Sequence, residues 1–212
     1  MDCKAVIFDL DGTLLDSLGM WSEIDAAFLG RRGVTVPEDY QTAIALMRPS
    51  ECAEYTINRF HLSDTPEDLT REWTEMARER YAVSVQLKAG AYEFLHKLHD
   101  AGVRIGTASS LAPDMAQAAL KRLKVYDLFD AFTMACELPM GKDDPALFRL
   151  AAKRLGAKCE ECVLYDDIAE ALSVAKSTGM ATVCVWDEHS RSGYGMLDKC
   201  TDRVIRSFTE EL

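Results

Sequence analysis

Four short apolar runs punctuate the chain, at residues 5–8, 103–107, 162–165 and 182–186. Apart from Arg104 and the threonines they are continuously apolar rather than alternating, as strands buried on both faces of a parallel sheet require. Residues 131–136 form a weaker fifth candidate. Between the runs, apolar residues recur at helical spacing over 91–101, 112–123, 145–155 and 169–178. Strand and helix in alternation predict an α/β fold, a doubly wound and mostly parallel sheet. The helix ends carry their own signals. Asp144-Pro145 offers an N-cap followed by a proline at the first helical position, where its missing N–H costs nothing. Gly102, Gly156 and Gly179 each follow a helical pattern, as left-handed C-terminal caps do.

The stretch 19–87 breaks the alternation. Helical patterns cover 20–31, 37–46, 50–60 and 66–84, no strand pattern stands out, and Arg32-Gly33 and 63–66 read as turns. The expected organisation is therefore a discontinuous α/β core, 1–18 and 88–212, with an all-helical domain inserted at 19–87.

Composition narrows the function classes. At 212 residues and 48% apolar, the chain can bury a real core. A net charge of −11 argues against a general nucleic-acid binder, which needs a basic face. An anionic substrate would then have to be drawn in by a few local cations and backbone N–H groups. No apolar run reaches about 18 residues, so no transmembrane helix and no membrane partner are expected. The N-terminus runs directly into a strand pattern, without a signal-peptide layout. Seven scattered cysteines, an odd number, suit reduced thiols and a cytoplasmic protein. The tight pair Cys159 and Cys162 has no second pair or nearby histidine to complete a zinc site.

In an open parallel sheet, ligands bind at the carboxyl ends of the strands. The first run is followed by Asp9-Leu10-Asp11-Gly12-Thr13, the second ends at Thr107-Ala108-Ser109-Ser110, a later loop carries Gly141-Lys142, and the third is followed by Asp166-Asp167. Taken singly, each has a bland explanation: Asp-x-Asp-Gly makes a turn, threonine caps helices, Asp166-Asp167 complements a helix dipole, and a lone lysine is a solvated charge. Together they put four acids on one rim, where they repel unless a cation joins them. Mg²⁺, which prefers carboxylate and carbonyl oxygens, answers that need.

Asp9-x-Asp11-Gly12-Thr13-Leu14-x-Asp16-Ser17 resembles the first motif of the haloacid dehalogenase-like (HAD) superfamily. Thr107-Ala108-Ser109 is similar to its second motif, Lys142 to its third and Asp166-Asp167 to its fourth, so the resemblance spans roughly 4–186. The helical insert resembles the small cap of the β-phosphoglucomutase-like subfamily. The resemblance implies a HAD-like, Rossmannoid core with a helical cap domain. It also implies roles. Asp9 would be the nucleophile forming an aspartyl-phosphate, and Asp11 the general acid and base. Thr107 would donate to a phosphoryl oxygen, and Lys142 would bind both the phosphoryl group and Asp9. Backbone N–H groups of Leu10, Asp11 and Ala108 would bind phosphate beside Ser109, and Mg²⁺ would rest on Asp9, the Asp11 carbonyl, Asp166 and Asp167.

Asp11, Asp166 and Asp167 together favour phosphoryl transfer over halide removal, since a metal-free site has no use for three further acids. The sequence departs from the subfamily pattern in four places. Asp143 and Asp144 follow Lys142 where proline is usual, and would compete for its charge. Ala171 stands where glycine is common, which bears on packing more than chemistry. Trp21 stands where mutases carry a cap histidine, which argues against a phosphosugar mutase. The first part of the insert, 19–63, has no lysine to form the Schiff base of the phosphonate-cleaving branch. Within the insert, Arg48 is the candidate contact to the remote part of a substrate, against the plainer role of a surface arginine. Trp21 offers a stacking surface, against an apolar role in the insert's core that large aromatics usually take. The expected protein is a monomeric Mg²⁺-dependent phosphatase of a small phosphomonoester, a sugar phosphate. A β-phosphoglucomutase-type mutase and a non-catalytic phosphometabolite-binding protein are the alternatives.

Overall fold

The computed structural model describes residues 3–44, 47, 49–190 and 197–212, and its contacts divide the chain into two compact units, one of Met1–Leu18 with Val85–Leu212 and one of Gly19–Ser84.

In the first unit, β1 (Ala5–Phe8), β4 (Arg104–Thr107), β5 (Cys162–Asp166), β6 (Ala181–Val185) and β7 (Arg203–Ile205) form one five-stranded sheet in the order β4-β1-β5-β6-β7. Every pairing in it is parallel, with Ile7 opposite Gly106 on one side and Leu164 on the other. Side chains alternate between the faces of a strand. Ile7 and Leu164 pack with Leu147, Phe148 and Ala151 of α7 (Pro145–Arg154) and Leu172 and Ala175 of α8 (Ala169–Ser177). Phe8 and Tyr165 point the other way. They stack at 5.1 Å between ring centroids and meet Phe94 of α5 (Ala91–Asp100) and Phe208 of the C-terminal 3₁₀ turn at 5.6–6.1 Å. Both faces are thus covered, and the chain steps to opposite sides of β1 for β4 and β5, which makes the carboxyl end of β1 the switch point.

The apolar runs at 5–8, 103–107, 162–165 and 182–186 become strands to within a residue at either end. The fifth strand does not come from 131–136. That stretch runs beside β4 through isolated bridges only, Gly106 to Ala131 and Ser109 to Met134. Ala131 O, Thr133 O and Ala135 N bond to the backbone of Thr107 and Ser109, while side chains take the rest: Phe132 O by Arg154, Met134 N by Glu137 and Thr133 N by the Thr107 hydroxyl. The fifth strand is β7, whose Arg203 and Val204 are exposed while Ile205 is buried. An edge strand of that length carries no apolar run to announce it. The expected helix ends hold: the Asp144 carboxylate accepts from Ala146 N at 2.8 Å, and Gly102, Gly156 and Gly179 all have positive φ.

The second unit contains α1 (Gly19–Arg31), α2 (Tyr40–Ile44), α3 (Pro49–Phe60) and α4 (Pro66–Val83). Its core gathers Ile24, Phe28 and Leu29 with Tyr40, Ala53, Leu69, Trp73 and Tyr81. Arg32 fastens the end of α1, lying over the Phe28 ring and pairing with Asp64 at 2.6 Å and Glu72 at 2.8 Å. The stretch expected to be free of strands ends in one. Gln86–Leu87 (β3) pairs antiparallel with Leu15–Asp16 (β2), and both belong to the α/β unit. A two-residue strand is too short to leave a pattern.

Candidate active site

Beyond Phe8 the chain bends sharply enough to bring three acids together. The Asp9 N–H still donates to Tyr165 O at 2.9 Å, which fixes the nucleophile candidate to the end of β5. Gly12, at φ 75°, then turns the chain back so that Gly12 N reaches Leu15 O at 3.0 Å. That turn needs glycine twice over: the φ is left-handed, and a Cβ there would sit 2.8 Å from Asp167 Oδ2 and 2.7 Å from Leu18 Cδ1. Asp166 ends β5, and its Oδ1 accepts from Ile168 N at 2.9 Å. Asp9, Asp166 and Asp167 are all buried and offer carboxylate oxygens within 4.8 Å of one another.

Lys142 answers part of that charge. Its Nζ lies 2.7 Å from Asp9 Oδ1 and 2.8 Å from Asp166 Oδ2, with the side chain 10% exposed. Burial disfavours the ammonium, but Asp166 and Asp9 more than offset it and hold Lys142 well above the usual lysine range. The two acids that follow it do not compete. Asp144 is spent as the N-cap of α7, and Lys142 sits in a 3₁₀ turn aimed at Asp9 and Asp166. Three carboxylates beside one ammonium leave two negative charges in excess. Burial first, then the neighbouring carboxylates, push the Asp166 and Asp167 carboxyls upward. A buried cluster with this imbalance fits a divalent cation, whose charge cancels the excess and whose preference is for carboxylate oxygens.

Three supporting contacts were given no role by the sequence, although Thr13 and Ser17 belong to the first motif. The Thr13 hydroxyl lies 3.4 Å from Asp9 Oδ2 and 3.3 Å from Asp167 Oδ1, bridging nucleophile candidate and acid pair. The Ser17 hydroxyl donates to Asp11 Oδ1 at 2.7 Å, orienting a carboxylate that is only half-buried. The Ser190 hydroxyl donates to the Asp167 carbonyl at 3.1 Å.

The second motif is arranged differently from the expectation. Thr107 is fully buried; its hydroxyl oxygen accepts from Thr133 N at 3.0 Å, and its proton faces Thr133 O at 3.4 Å and Met134 Sδ at 3.8 Å. A hydroxyl committed in both directions to the neighbouring loop has no proton left for a phosphoryl oxygen, so Thr107 is a structural residue here. The Ala108 N–H is likewise spent, on Phe8 O at 2.9 Å. One residue further on, the Ser109 hydroxyl accepts from Leu111 N at 3.3 Å and keeps its own proton for donation. Among the described residues, the N–H groups of Leu10 and Ser110 donate to no other group.

In the helical unit, Trp21 is 41% exposed, so its expected role in that unit's core is not the one it takes. Arg48 lies outside the described residues. Among the described residues no helix is long and apolar enough to cross a membrane, and no cysteine is in a disulfide.

Comparison with known proteins agrees with this geometry. A sequence profile of the haloacid dehalogenase-like hydrolases matches residues 3–179. Fructose-1-phosphate phosphatase YqaB of Escherichia coli is 31% identical over 183 residues, covering 85% of this chain and 95% of that protein. Two solved structures share the fold. CbbY of Rhodobacter sphaeroides in complex with phosphate superimposes with a TM-score of 0.78 at 20% identity, over 98% of this chain and 96% of the other. A β-phosphoglucomutase of Clostridium difficile gives a TM-score of 0.70 at 19% identity, over 98% and 92%.

Proposed function

The chain belongs to the haloacid dehalogenase-like hydrolases and is a phosphatase; from that premise we propose that it falls in their β-phosphoglucomutase-like branch and hydrolyses a small sugar phosphate with Mg²⁺, through a phosphorylated Asp9. The observation that carries this reading is the Asp9, Asp166 and Asp167 cluster with Lys142 against it. A protein that only bound a phosphometabolite would not need three buried carboxylates facing an anion. The sugar-phosphate class is supported by the likeness to a fructose-1-phosphate phosphatase.

Asp9 attacks phosphorus as its free carboxylate, and the ester P–O bond breaks as the new P–O bond to Asp9 forms. Asp11, oriented by Ser17, gives its proton to the departing sugar oxygen, which leaves as a hydroxyl. Asp11, now a carboxylate, takes a proton from water as that water attacks the phosphoaspartate, releasing inorganic phosphate and restoring Asp9. Lys142 holds the nucleophilic carboxylate in place and adds positive charge where the phosphoryl oxygens arrive. The Ser109 hydroxyl and the N–H groups of Leu10 and Ser110 donate to those oxygens, the role that Thr107 and Ala108 cannot fill. Bound by Asp9, Asp166, Asp167 and the Asp11 carbonyl, Mg²⁺ would screen the repulsion between anionic nucleophile and anionic ester.

The helical unit, Gly19–Ser84, serves in this reading as the cap that selects the substrate, with Trp21 exposed and able to stack on it. In this reading the protein works as a monomer in the cytoplasm, where cysteines outside disulfides stay reduced. The test is phosphate release from fructose 1-phosphate and an aryl phosphate: Asp9→Asn should abolish it, and EDTA should stop it until Mg²⁺ is returned. Turnover in Asp9→Asn, or indifference to EDTA, would refute the mechanism. Glucose 1-phosphate should give inorganic phosphate; clean conversion to glucose 6-phosphate would establish the mutase instead.

A further inference from the structure

Lys88 and Asp187 are 99 residues apart and form a buried ion pair that the mechanism above does not use. Lys88 Nζ reaches Asp187 Oδ2 at 2.5 Å, with the two side chains 12% and 7% exposed. A buried pair of this kind is poor evidence for stability, because an apolar pair of similar volume does as well. What it supplies is direction, and the contacts around it show where the direction leads.

On one side, the Lys88 N–H donates to Leu14 O at 2.9 Å, continuing the β2–β3 ribbon through which the chain leaves and re-enters the α/β unit. On the other side, Asp187 organises the turn after β6. Its Oδ1 accepts from His189 N at 2.8 Å, with His189 Nδ1 3.5 Å away, and its carbonyl accepts from Ser190 N at 3.1 Å. That turn presents the Ser190 hydroxyl, which donates to the Asp167 carbonyl at 3.1 Å. Asp167 is therefore held from two directions, its carbonyl and carboxyl group by Ser190 and its carboxylate also by Thr13. Lys88, Asp187, Ser190 and Asp167 form one unbroken line of directional contacts.

We propose that the Lys88–Asp187 pair is a positioning device for the metal site, fixing the main chain at Asp167 through Ser190 so that this carboxylate meets Mg²⁺ without rearrangement. Lys88, Asp187 and Ser190 touch neither substrate nor metal and act through Asp167. The inference rests on the reading of Asp167 as a Mg²⁺ ligand. Partners of metal ligands in this position typically change metal affinity by 10–100-fold when removed.

The test is Mg²⁺ binding to the full-length protein by titration calorimetry, without substrate, for wild type, Lys88→Met, Asp187→Asn, Ser190→Ala and the double variant Lys88→Met/Ser190→Ala. Each single variant should weaken Mg²⁺ by about tenfold, and the double variant should be no weaker than the worse single one, because both cut the same line. Melting curves in EDTA supply the contrasting readout. Variants that melt earlier yet bind Mg²⁺ like wild type would show a structural brace and overturn the proposal, as would losses that simply add in the double variant. Ser190→Ala removes a single hydroxyl from a half-buried position and carries the test if Lys88→Met does not fold. A wild-type protein that takes up no Mg²⁺ would overturn the metal reading itself, whereas wild-type binding with unchanged variants would overturn this inference alone.

Discussion

Asp25 is a carboxylate buried in the helical unit that, on its present contacts, weakens the fold at neutral pH. It sits on α1 at 6% exposure, and among the described residues its hydrogen bond comes from the Gln41 side-chain amide, which donates to Oδ2 at 2.8 Å. Burial pushes its carboxyl from 3.8 up to about 6, the Gln41 hydrogen bond pulling the other way by less. The folded protein thus holds this proton more tightly than the unfolded chain does. The resulting stabilisation is complete below pH 3.8 and is lost as pH rises through about 6. At about 1.4 kcal/mol for each pH unit between those values, an ionised Asp25 costs about 3 kcal/mol at pH 8. Asp25→Asn removes the charge and leaves an oxygen able to accept the same Gln41 bond. The variant should therefore be more stable than wild type at pH 8 by up to about 3 kcal/mol, with the gap closing on acidification and gone near pH 4. Urea denaturation at pH 4 to 8 measures it. The fluorescence of Trp73, packed against Phe28 at 5.6 Å, is a probe inside the same unit. A gap that does not change with pH, or a variant less stable at pH 8, would refute the reasoning.

Other outcomes follow from the α/β unit. Lys142→Met leaves three buried carboxylates without an ammonium and should cost about 3–5 kcal/mol in EDTA, with Mg²⁺ raising its melting temperature more than that of wild type; an unchanged melt in EDTA would show that the pair contributes nothing to the fold. Gly12→Ala places a methyl against the Asp167 carboxylate at a left-handed φ, so kcat should fall at least about tenfold, equivalent to about 1.4 kcal/mol, while circular dichroism stays native. Phe208→Ala removes one ring of the Phe8, Phe94 and Tyr165 cluster and should cost about 3–5 kcal/mol by urea denaturation, a loss under about 1 kcal/mol showing that the C-terminal turn is dispensable. Thr107→Val should lower stability by about 1–3 kcal/mol with kcat/KM nearly unchanged, and Ser109→Ala should do the reverse; the opposite split would return the phosphoryl contact to Thr107.

Some of this was legible in the sequence and some was not, and the dividing line is physical. Strands β1, β5 and β6 announce themselves because burial on both faces forces a run of apolar residues, and β4, at the other edge with Arg104 exposed, does so through its buried residues 105–107. β7 does not, because an edge strand lets Arg203 and Val204 remain in water. Residues 131–136 look like a strand by composition and stop short of one: they bond to the backbone at Thr107 and Ser109, but the Thr107 hydroxyl takes Thr133 N and the chain turns into a 3₁₀ helix from Ala135. The site divides in the same way. Clustered acids at strand ends are conspicuous because like charges repel, and a sequence that places them together must also place something among them; Asp9, Asp166, Asp167 and Lys142 were found by that reasoning. A hydroxyl carries no such signature. Thr107 and Ser109 are equally polar and two residues apart, and which one keeps a proton for a ligand depends on whether the peptide of Thr133 lies within reach. Lys88 and Asp187 are harder still, since each alone reads as a surface charge and only the folded chain brings them to 2.5 Å. Charge imbalance can be inferred from a list of residues, whereas the spending of each hydrogen bond is a property of the fold. For that reason the clustered acids could be named in advance, with the nucleophile role of Asp9 coming from the family resemblance, while the donors proposed for the phosphoryl group and the contacts proposed to position Asp167 could not.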